Sequence, residues 1–550
     1  MGKKVLIVGG VAGGASAAAR LRRLDEEMEI IIFERGEHIS YANCGLPYYV
    51  SGVIAERDAL LVQTPDGMRK RFKIDVRIHS EVTRVFPAEK VVEVQEAEGH
   101  SYRESYDELI LSPGAAPVRP PIPGIEDIDA FVVRNVPDID QIKEYIDERK
   151  PQTAVVVGGG FIGLEMAENL QARGVNTTII EMSNQVMAPL DYEMAAILHE
   201  HIFNKDVNLI LEDGVKAFAK KGRDTLITLQ SGEEIQADLT ILAIGVKPEI
   251  KLAKEAGLTI GDLGGIKVNE RLQTSDPHIY ALGDAIEVKH LITGKAALIP
   301  LAGPANKQGR IVADIIAGRD SQYRGTQGTS IAKIFDLVAA STGANEKMLR
   351  QLGIPHEVSF THSASNAMYY PGATRLSMKL IFDRSDGRVL GAQIVGSQGV
   401  DKRIDDIAGV IRREGTVYDL QELELAYAPP FSSAKDPANM AGYVAENIIN
   451  GDVQMVHWYD VQKMDPKEVC IIDVRTVEER RSKFIRGSLH IPIDDFRNHL
   501  SELPQDKDIV IYCEIGLRGY IAYRILTQHG FTRVKNLSGG WVTYYPAVFG

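Results

Sequence analysis

Residues 1–8 end in the apolar run Val5 to Val8 and read as a short buried strand that runs into Gly9-Gly-Val-Ala-Gly-Gly14. The Ala-rich segment Ala15 to Leu24 reads as a helix, and Ile30 to Phe33 as a second strand ending at Glu34. Strand, glycine turn, helix and strand in this order predict a βαβ unit. The plan recurs at Ala154-Val-Val-Val-Gly-Gly-Gly-Phe-Ile-Gly163, with a helix over Leu164 to Ala172 and a strand over Thr177 to Ile180 before Glu181. Two similar halves predict two nucleotide sites. From about Gly325 the pattern changes to strands at Met378 to Phe382 and Val389 to Val395 and a helix from Lys402 to Arg413, read as a separate α+β domain. The segment Ala445 to Asp452, with Asn447, Asn450 and Gly451, reads as a helix end and a hinge. Beyond it, Val469 to Arg475 and Asp508 to Cys513 read as two buried strands of a small α/β module.

The 550 residues of the chain exceed a single core, since domains run to ~100–200 residues. A composition of 44% hydrophobic and 25% charged residues is that of a folded globular protein. The net charge of −13, from 62 basic and 75 acidic residues, disfavours a nucleic-acid partner. Three cysteines cannot form a disulfide framework, and no Cys-x-x-Cys pair offers zinc or dithiol chemistry; no metal site is expected. No run approaches the ~20 apolar residues of a membrane span, and the N-terminal apolar run is too short for a signal peptide. A cytoplasmic protein with no membrane partner is expected.

Gly158, Gly160 and Gly163 satisfy Gly-x-Gly-x-x-Gly between a strand and a helix, with Glu181 near the ~20-residue offset of a ribose-binding acid. Such glycines let a pyrophosphate approach the backbone at the helix N-terminus. The first cluster is looser, with Val11 in place of the middle glycine. Its partner is Gly283-Asp284, which closes the strand His278-Ile-Tyr-Ala-Leu-Gly-Asp284 and offers a carboxylate to ribityl hydroxyls. The order of the two βαβ units and then Tyr-Ala-Leu-Gly-Asp resembles the two-dinucleotide-domain flavoprotein reductases over residues 1 to 446. The resemblance implies FAD at the first site and NADH or NADPH at the second. The cofactor-binding positions it implies are Gly9, Val11, Ala12, Gly13, Glu34, Arg35, Ser112, Gly114, Gly158, Gly160, Ile162, Gly163, Glu181, Gly245, Gly283 and Asp284. Glu181 should repel a 2'-phosphate, and no Arg or Lys lies between Met182 and Pro189, which favours NADH.

Cys44 stands alone in Ser40-Tyr-Ala-Asn-Cys-Gly-Leu-Pro-Tyr-Tyr49, where glutathione-reductase-like enzymes carry two cysteines. One thiol can form a mixed disulfide, a sulfenic acid or a persulfide, each reducible through a flavin. The stretch resembles the Ser-Phe-x-Asn-Cys-x-Leu-Pro-Tyr segment of coenzyme A disulfide reductases, with Tyr41 for the phenylalanine. That resemblance implies coenzyme A as substrate or bound mixed disulfide. It places Arg20 and Arg23 near the phosphates, Ser40 and Asn43 beside the sulfur, and Asn306 among the substrate contacts. Arg71, in the run Arg69 to Lys73, either contacts the 3'-phosphate or belongs to a solvated face. Tyr369 and Ala426-Tyr-Ala-Pro-Pro-Phe-Ser-Ser-Ala-Lys-Asp436 resemble segments supplied by a second subunit of a homodimer. On that likeness Tyr427 faces the partner's Cys44 and Lys435 contacts the ligand, while the alternative for each tyrosine is interface or core packing. Peroxidases and oxidases of the same architecture also use one cysteine. The peroxide enzymes carry a histidine in the first glycine turn, and positions 9 to 14 have none.

Cys513-Glu-Ile-Gly-Leu-Arg518 joins a strand to a helix, so backbone N–H groups, the helix N-terminus and Arg518 can favour a thiolate. With Asp473-Val-Arg475, Arg486-Gly-Ser-Leu-His-Ile-Pro492 and Leu537-Ser-Gly-Gly-Trp541 it resembles a single-domain rhodanese. Cys470, in an apolar strand, is expected in the core. The expected fold is α/β, with two Rossmann-like dinucleotide-binding domains, an α+β dimerisation domain and a C-terminal rhodanese-like α/β domain. The expected boundaries are 1–150 and 256–325 for the FAD domain, 151–255 for the nicotinamide domain, 326–446 for dimerisation, 447–455 for a linker and 456–550 for the rhodanese module. The expected function is flavin-dependent reduction of coenzyme A disulfide, persulfide or polysulfide, with low-molecular-weight persulfides as further partners. Catalysis is expected at Cys44, Tyr369, Tyr427, Cys513 and Arg518. Alternatives are an NADH peroxidase or oxidase cycling through a Cys44 sulfenic acid, and a redox-sensing sulfur carrier.

Overall fold

The computed structural model describes residues 2–465 and 467–550. The chain forms two compact units, one of residues 1–183 and 207–328 and one of residues 184–206 and 329–550.

In the first unit, the expected βαβ pattern builds a parallel sheet. Its strands lie in the order Ile279–Ala281, Glu108–Leu111, Lys4–Val8, Glu29–Phe33 and Asp75–Arg77. Val5, Leu6 and Ile7 are fully buried, as a strand covered on both faces requires. The late strand Ile279–Ala281 returns to this sheet and sets Gly283-Asp284 beside the first glycine turn. A second parallel sheet runs Asn208–Ile210, Asn176–Ile180, Thr153–Val157, Leu239–Leu242, Ala130–Val132. Both helices start three residues earlier than the sequence pattern predicts, at Ala12 and Phe161. The glycines lie inside the first turn because the strand backbone passes close by. A Cβ on Gly14 would sit 2.0 Å from the Gly9 carbonyl oxygen, and one on Gly163 would sit 1.9 Å from that of Gly158.

The second unit carries an antiparallel five-stranded sheet in the order Ser330–Ile334, Leu337–Gly343, Val389–Gly396, Arg375–Phe382, Glu357–Ala364. The helices Val400–Arg412 and Pro437–Ile449 pack on it. A parallel sheet of Met455–Val456, Val534–Leu537, Asp508–Tyr512, Val469–Asp473 and Leu489–His490 forms the C-terminal module. The connection read as a hinge is tied down. Helix Pro437–Ile449 ends at Asn450, Arg524 donates to the Asp452 carbonyl and carboxylate, and Val453 is buried. Phe360 donates its N–H to Ser538 Oγ, and His362 Nε2 lies 2.8 Å from Thr543 Oγ1, so the module packs on the antiparallel sheet.

Asn184–Asp206, expected inside the 151–255 domain, groups with this second unit instead. The cause is ionic. Lys379 Nζ, fully buried, lies 2.9 Å from Asp191, 2.5 Å from Glu193 and 2.5 Å from Glu346. Gln393 brackets Asp191 further, accepting its backbone N–H and donating to its carboxylate. A helix start carrying two buried carboxylates must stay with its cation.

Candidate functional site

The first glycine turn is shaped by close backbone approach. Gly9 has φ +95°, and a Cβ there would meet the Ser112 carbonyl oxygen at 2.1 Å. One on Gly13 would meet Leu282 Cδ1 at 2.2 Å. Glu34 accepts from the N–H groups of Gly10 (3.1 Å) and Gly36 (3.0 Å), which holds its carboxylate at the strand end where a ribose edge can be bound. A cavity of about 650 Å³ opens here, within the ~300–1,000 Å³ of small-molecule clefts. It is lined by Gly9, Val11, Ala12, Gly13, Glu34, Arg35, Asn43, Ser112, Gly114, Gly283 and Asp284 among others. Asp284 is pushed above the ordinary carboxylate range by burial alone. A carboxyl with no charged group opposing its burial suits hydroxyl donors of a ligand. Gly114 and Gly283 adopt φ of +75° each, and the Gly283 N–H donates to Gln308. Arg35 is paired to Glu249 at 2.8 Å. The cradle, the strand-end acid and the half-buried Asp284 fit a dinucleotide.

The second turn repeats this chemistry. Gly158, at φ +112°, would bring a Cβ to 2.3 Å from the Ala243 carbonyl oxygen, whereas Gly160 and Gly245 face open space. Glu181 accepts from the Gly159 and Ser183 N–H groups, each at 2.8 Å, as Glu34 does in the first half. Ile162 lies in the first turn of the helix Phe161–Gln171. Glu165, in the next position but one after Gly163, escaped the sequence reading. Burial, with Glu168 adding, raises its carboxyl to about 7, and Tyr48 lies 3.5 Å from it. Its signal was available in the pattern, as a carboxylate one step past a glycine turn.

Cys44 sits in the short turn Asn43–Gly45 ahead of the helix Leu46–Ser51. The residue is exposed, yet its thiol is enclosed enough that burial pushes it up, with the Glu165 and Asp284 carboxylates adding to the effect. The thiol thus feels both Asp284, which follows Gly283, and Glu165, in the helix after the second glycine turn. Asn43 lines the cavity, and Ser40, at φ +45°, donates its N–H to the Gly10 carbonyl. Arg20 is already engaged by Asp314 at 2.7 Å, and Asn306, from the same helix Ala302–Ile316, lies 2.5 Å from Ser16 Oγ. Arg23 and Arg71 are exposed.

In the second unit, the Tyr369 and Tyr427 hydroxyls lie 3.0 Å apart, with the residues 76% and 47% exposed. Core packing of either tyrosine is thereby excluded. Lys435 is exposed. The two hydroxyls, hydrogen-bonded to each other, are open to solvent.

In the C-terminal module, Cys513 follows the strand Asp508–Tyr512 and precedes the helix Leu517–Gln528. Gly516 (φ +97°) turns its N–H onto Cys513 Sγ at 3.1 Å. The Trp541 N–H donates to the Cys513 carbonyl; a Cβ on Gly540 would collide with that oxygen at 2.5 Å, and one on Gly539 with Thr543 Oγ1 at 2.0 Å, which explains the paired glycines. Arg518 is held by two hydrogen bonds to Glu479 (2.8 and 2.7 Å), and Glu479 first and then Cys513 raise its pKa. Below the loop, fully buried Asp473 binds Arg475, whose guanidinium lies over the Trp541 and Tyr512 rings. The sequence reading did not single out Glu479, which becomes part of the site only when two distant segments meet, or Glu514, which lies in the loop itself and pairs with the distant Arg475. Cys470, expected in the core, is only half-buried. Among the described residues the one acidic group close enough to hold a metal is Asp191, Glu193 and Glu346, and Lys379 lies among them.

Residues 3–309 match the pyridine nucleotide-disulphide oxidoreductase family, and residues 329–438 match its dimerisation domain. The chain belongs to the pyridine nucleotide-disulphide oxidoreductase family. Residues 455–547 of this oxidoreductase match the rhodanese-like domain. The coenzyme A disulfide reductase of Staphylococcus haemolyticus is 36% identical over 448 residues, covering 81% of this chain and 100% of that one. The reduced CoADR-RHD of Bacillus anthracis superposes with a TM-score of 0.98 at 55% identity, covering 100% and 98% of the two chains. The NAD-dependent persulfide reductase of A. fulgidus gives 0.93 at 38% identity, covering 98% and 100%. The expected α/β architecture with its C-terminal rhodanese-like module is thus the one found. No helix among the described residues is long and apolar enough to cross a membrane.

Proposed function

We propose that the chain is a homodimeric, cytoplasmic NAD(P)H-dependent flavoenzyme that reduces coenzyme A disulfide, and coenzyme A persulfide or polysulfide, through Cys44, with a second thiol at Cys513 for sulfur transfer. The proposed domains follow the boundaries above, with Asn184–Asp206 structurally attached to the second unit. The observation that supports the reading is the neighbourhood of Cys44: Asn43, beside it in the same short turn, lines the cavity together with Gly283 and Asp284, and the Asp284 and Glu165 carboxylates both act on its thiol. FAD, when bound in the first cavity, supplies two-electron transfer between the nicotinamide and this sulfur. Glu34, Ser112, Gly114 and Asp284 would hold it, and Gly158–Gly163, Gly245 and Glu181 would hold the nicotinamide cofactor.

The residues of the chain then divide the work. The Cys44 thiolate attacks one sulfur of the coenzyme A disulfide, forming a Cys44–coenzyme A mixed disulfide and releasing one coenzyme A thiolate. Two electrons and a proton break the mixed disulfide into the Cys44 thiolate and a second coenzyme A thiol. Asn43 and Ser40 position the substrate sulfur. Tyr427 of the partner subunit, linked to Tyr369 of the partner subunit, protonates the departing thiolate. Arg23, Arg71 and Lys435 are the proposed phosphate contacts. Arg20 can join them only by leaving Asp314, and Asn306 only by turning from Ser16.

The test is to reduce the purified protein and identify the small thiol set free from Cys44. Coenzyme A is expected. No released thiol, together with peroxide-dependent NADH oxidation in the absence of coenzyme A, would instead establish the sulfenic acid cycle.

A further inference from the structure

The first turn of the C-terminal helix Gly540–Phe549 holds the Cys513 loop on one side and is itself held from the antiparallel sheet on the other. Its Trp541 and Val542 N–H groups, which have no acceptor within the helix, donate to the Cys513 and Glu514 carbonyls at 2.8 and 3.0 Å. A Cβ on Gly540 would also reach the Gly516 nitrogen at 2.9 Å, so turn and loop meet backbone to backbone. The Asn536 side-chain amide donates to the Gly516 carbonyl at 3.2 Å, and the Gly516 N–H lies on Cys513 Sγ. On the sheet side stands the strand Glu357–Ala364. Phe360 donates its backbone N–H to Ser538 Oγ at 3.3 Å, and a Cβ on Gly539 would sit 2.7 Å from Phe360 Cβ. Two residues on, His362 places Nε2 2.8 Å from Thr543 Oγ1 and Nδ1 2.9 Å from Oγ of Ser377, its partner on the neighbouring strand. All three side chains are buried. Burial, with the Arg375 charge adding, pushes the imidazole down to about 3. It is therefore uncharged at neutral pH, with one N–H and one acceptor nitrogen for two hydroxyls that can each donate or accept. An apolar side chain would fill this space without the cost of burying a polar ring, so packing alone does not account for the histidine.

We infer that His362 is a positioning residue for Cys513: through Thr543 it fixes the helix turn whose N–H groups keep the Cys513 loop in the shape that aims the Gly516 N–H at the sulfur. The inference rests on the sulfurtransferase reading of Cys513. It adds a residue on which that activity depends and which lies outside the rhodanese-like segment, in the segment matching the dimerisation domain. The path is short. It runs from the imidazole to the Thr543 hydroxyl, back along one helical turn to the Trp541 N–H, and from there to the Cys513 carbonyl. Each link is a buried hydrogen bond or a covalent step, so a displacement of Thr543 reaches the loop with little slack to absorb it. The sheet thus serves as part of the support of the sulfur-transfer site, and the module is built to work docked.

The experiment measures sulfur transfer to cyanide, from thiosulfate and from glutathione persulfide, across pH in the full-length holoprotein and in His362→Leu, His362→Gln and Thr543→Val. With the donor the parent uses better, His362→Leu and Thr543→Val should each lower kcat/KM about tenfold, as small misplacements at a reacting centre do. Combined, they should lower it no further, because both cut the same link. The acid limb of the pH profile should move to higher pH in His362→Leu, as the Gly516 N–H leaves the sulfur. His362→Gln, whose amide can still reach Thr543, should recover both the rate, to within about threefold, and the profile. Flavin-dependent disulfide reduction in the same samples should stay within about twofold and reports an intact fold; if His362→Leu does not fold, the nearly isosteric Thr543→Val carries the test. Parental sulfur transfer in His362→Leu or Thr543→Val would overturn the inference. So would a loss accompanied by an unmoved pH profile and no recovery in His362→Gln, which would mark a merely structural contact. A parent that transfers sulfur from neither donor would overturn the sulfurtransferase reading, and the inference with it.

Discussion

Replacing Cys44 by serine leaves the Asn43–Gly45 turn its shape and removes only the sulfur. The glycine cradle and Asp284 use other atoms, so Cys44→Ser should keep bound FAD, read from its visible absorption, and lose coenzyme A disulfide reduction. Activity within threefold of the parent would remove Cys44 from the mechanism. At the same scale, Glu181 is the residue proposed to set the nicotinamide preference. Its carboxylate is fixed by the N–H groups of Gly159 and Ser183, in place to accept from a ribose 2'-hydroxyl and to repel a 2'-phosphate. NADH should therefore be the better donor. A kcat/KM ratio tenfold in favour of NADPH, about 1.4 kcal/mol, would show that some other cation compensates.

At the scale of elements, Lys379 decides where the helix Tyr192–Phe203 belongs. Removing one partner of a buried ionic group costs about 3–5 kcal/mol, because the charges left behind stay desolvated. Lys379→Met should lower the unfolding free energy of the second unit by about that amount, read as a lower denaturant midpoint at unchanged m. The pH dependence follows from the directions of the shifts. Burial raises the carboxyls of Asp191 and Glu346, but Lys379 outweighs it at Asp191, and His356, Lys379 and Arg350 outweigh it at Glu346, so both end below their ordinary range. Their contribution is complete above the unfolded carboxyl values of ~4 and is lost as pH falls further. Lys379 is shifted the other way: burial opposes its charge, the three carboxylates prevail, and its contribution is present below ~10.4 and lost at higher pH. Unfolding followed from pH 7 to pH 3 should show the parent losing stability, with a flatter slope in Lys379→Met.

For the whole molecule, the two thiols proposed to react lie in different compact units, Cys44 in the first and Cys513 in the second. Cys513→Ser should leave coenzyme A disulfide reduction nearly intact and abolish sulfur transfer, since the Gly516 N–H and Arg518 would have no sulfur nucleophile to stabilise. Normal sulfur transfer in that variant, lost instead in Cys44→Ser, would make the C-terminal module structural. The exposure of Tyr369 and Tyr427, in a segment matching the dimerisation domain, leads to the expectation that turnover requires a dimer. Light scattering during turnover checks this, and a competent monomer would refute it.

What the sequence determined by itself were features written in short spans of chain. The two βαβ units, the acids at positions 34 and 181, the lone thiol at 44 and the Cys513–Arg518 loop depend on neighbours within some twenty residues, where apolar period and glycine placement are strong signals. Even there the helix starts were misplaced by three residues, because the glycines serve close packing rather than a loop. The attachment of Asn184–Asp206 to Lys379, the commitment of Arg20 to Asp314, the approach of Glu165 and Asp284 to Cys44, and the pairing of Arg518 with Glu479 were decided only by tertiary structure. Each joins charges far apart in the chain, and a charge has no period that announces its partner. Its cost or benefit is fixed only when folding removes the water around it.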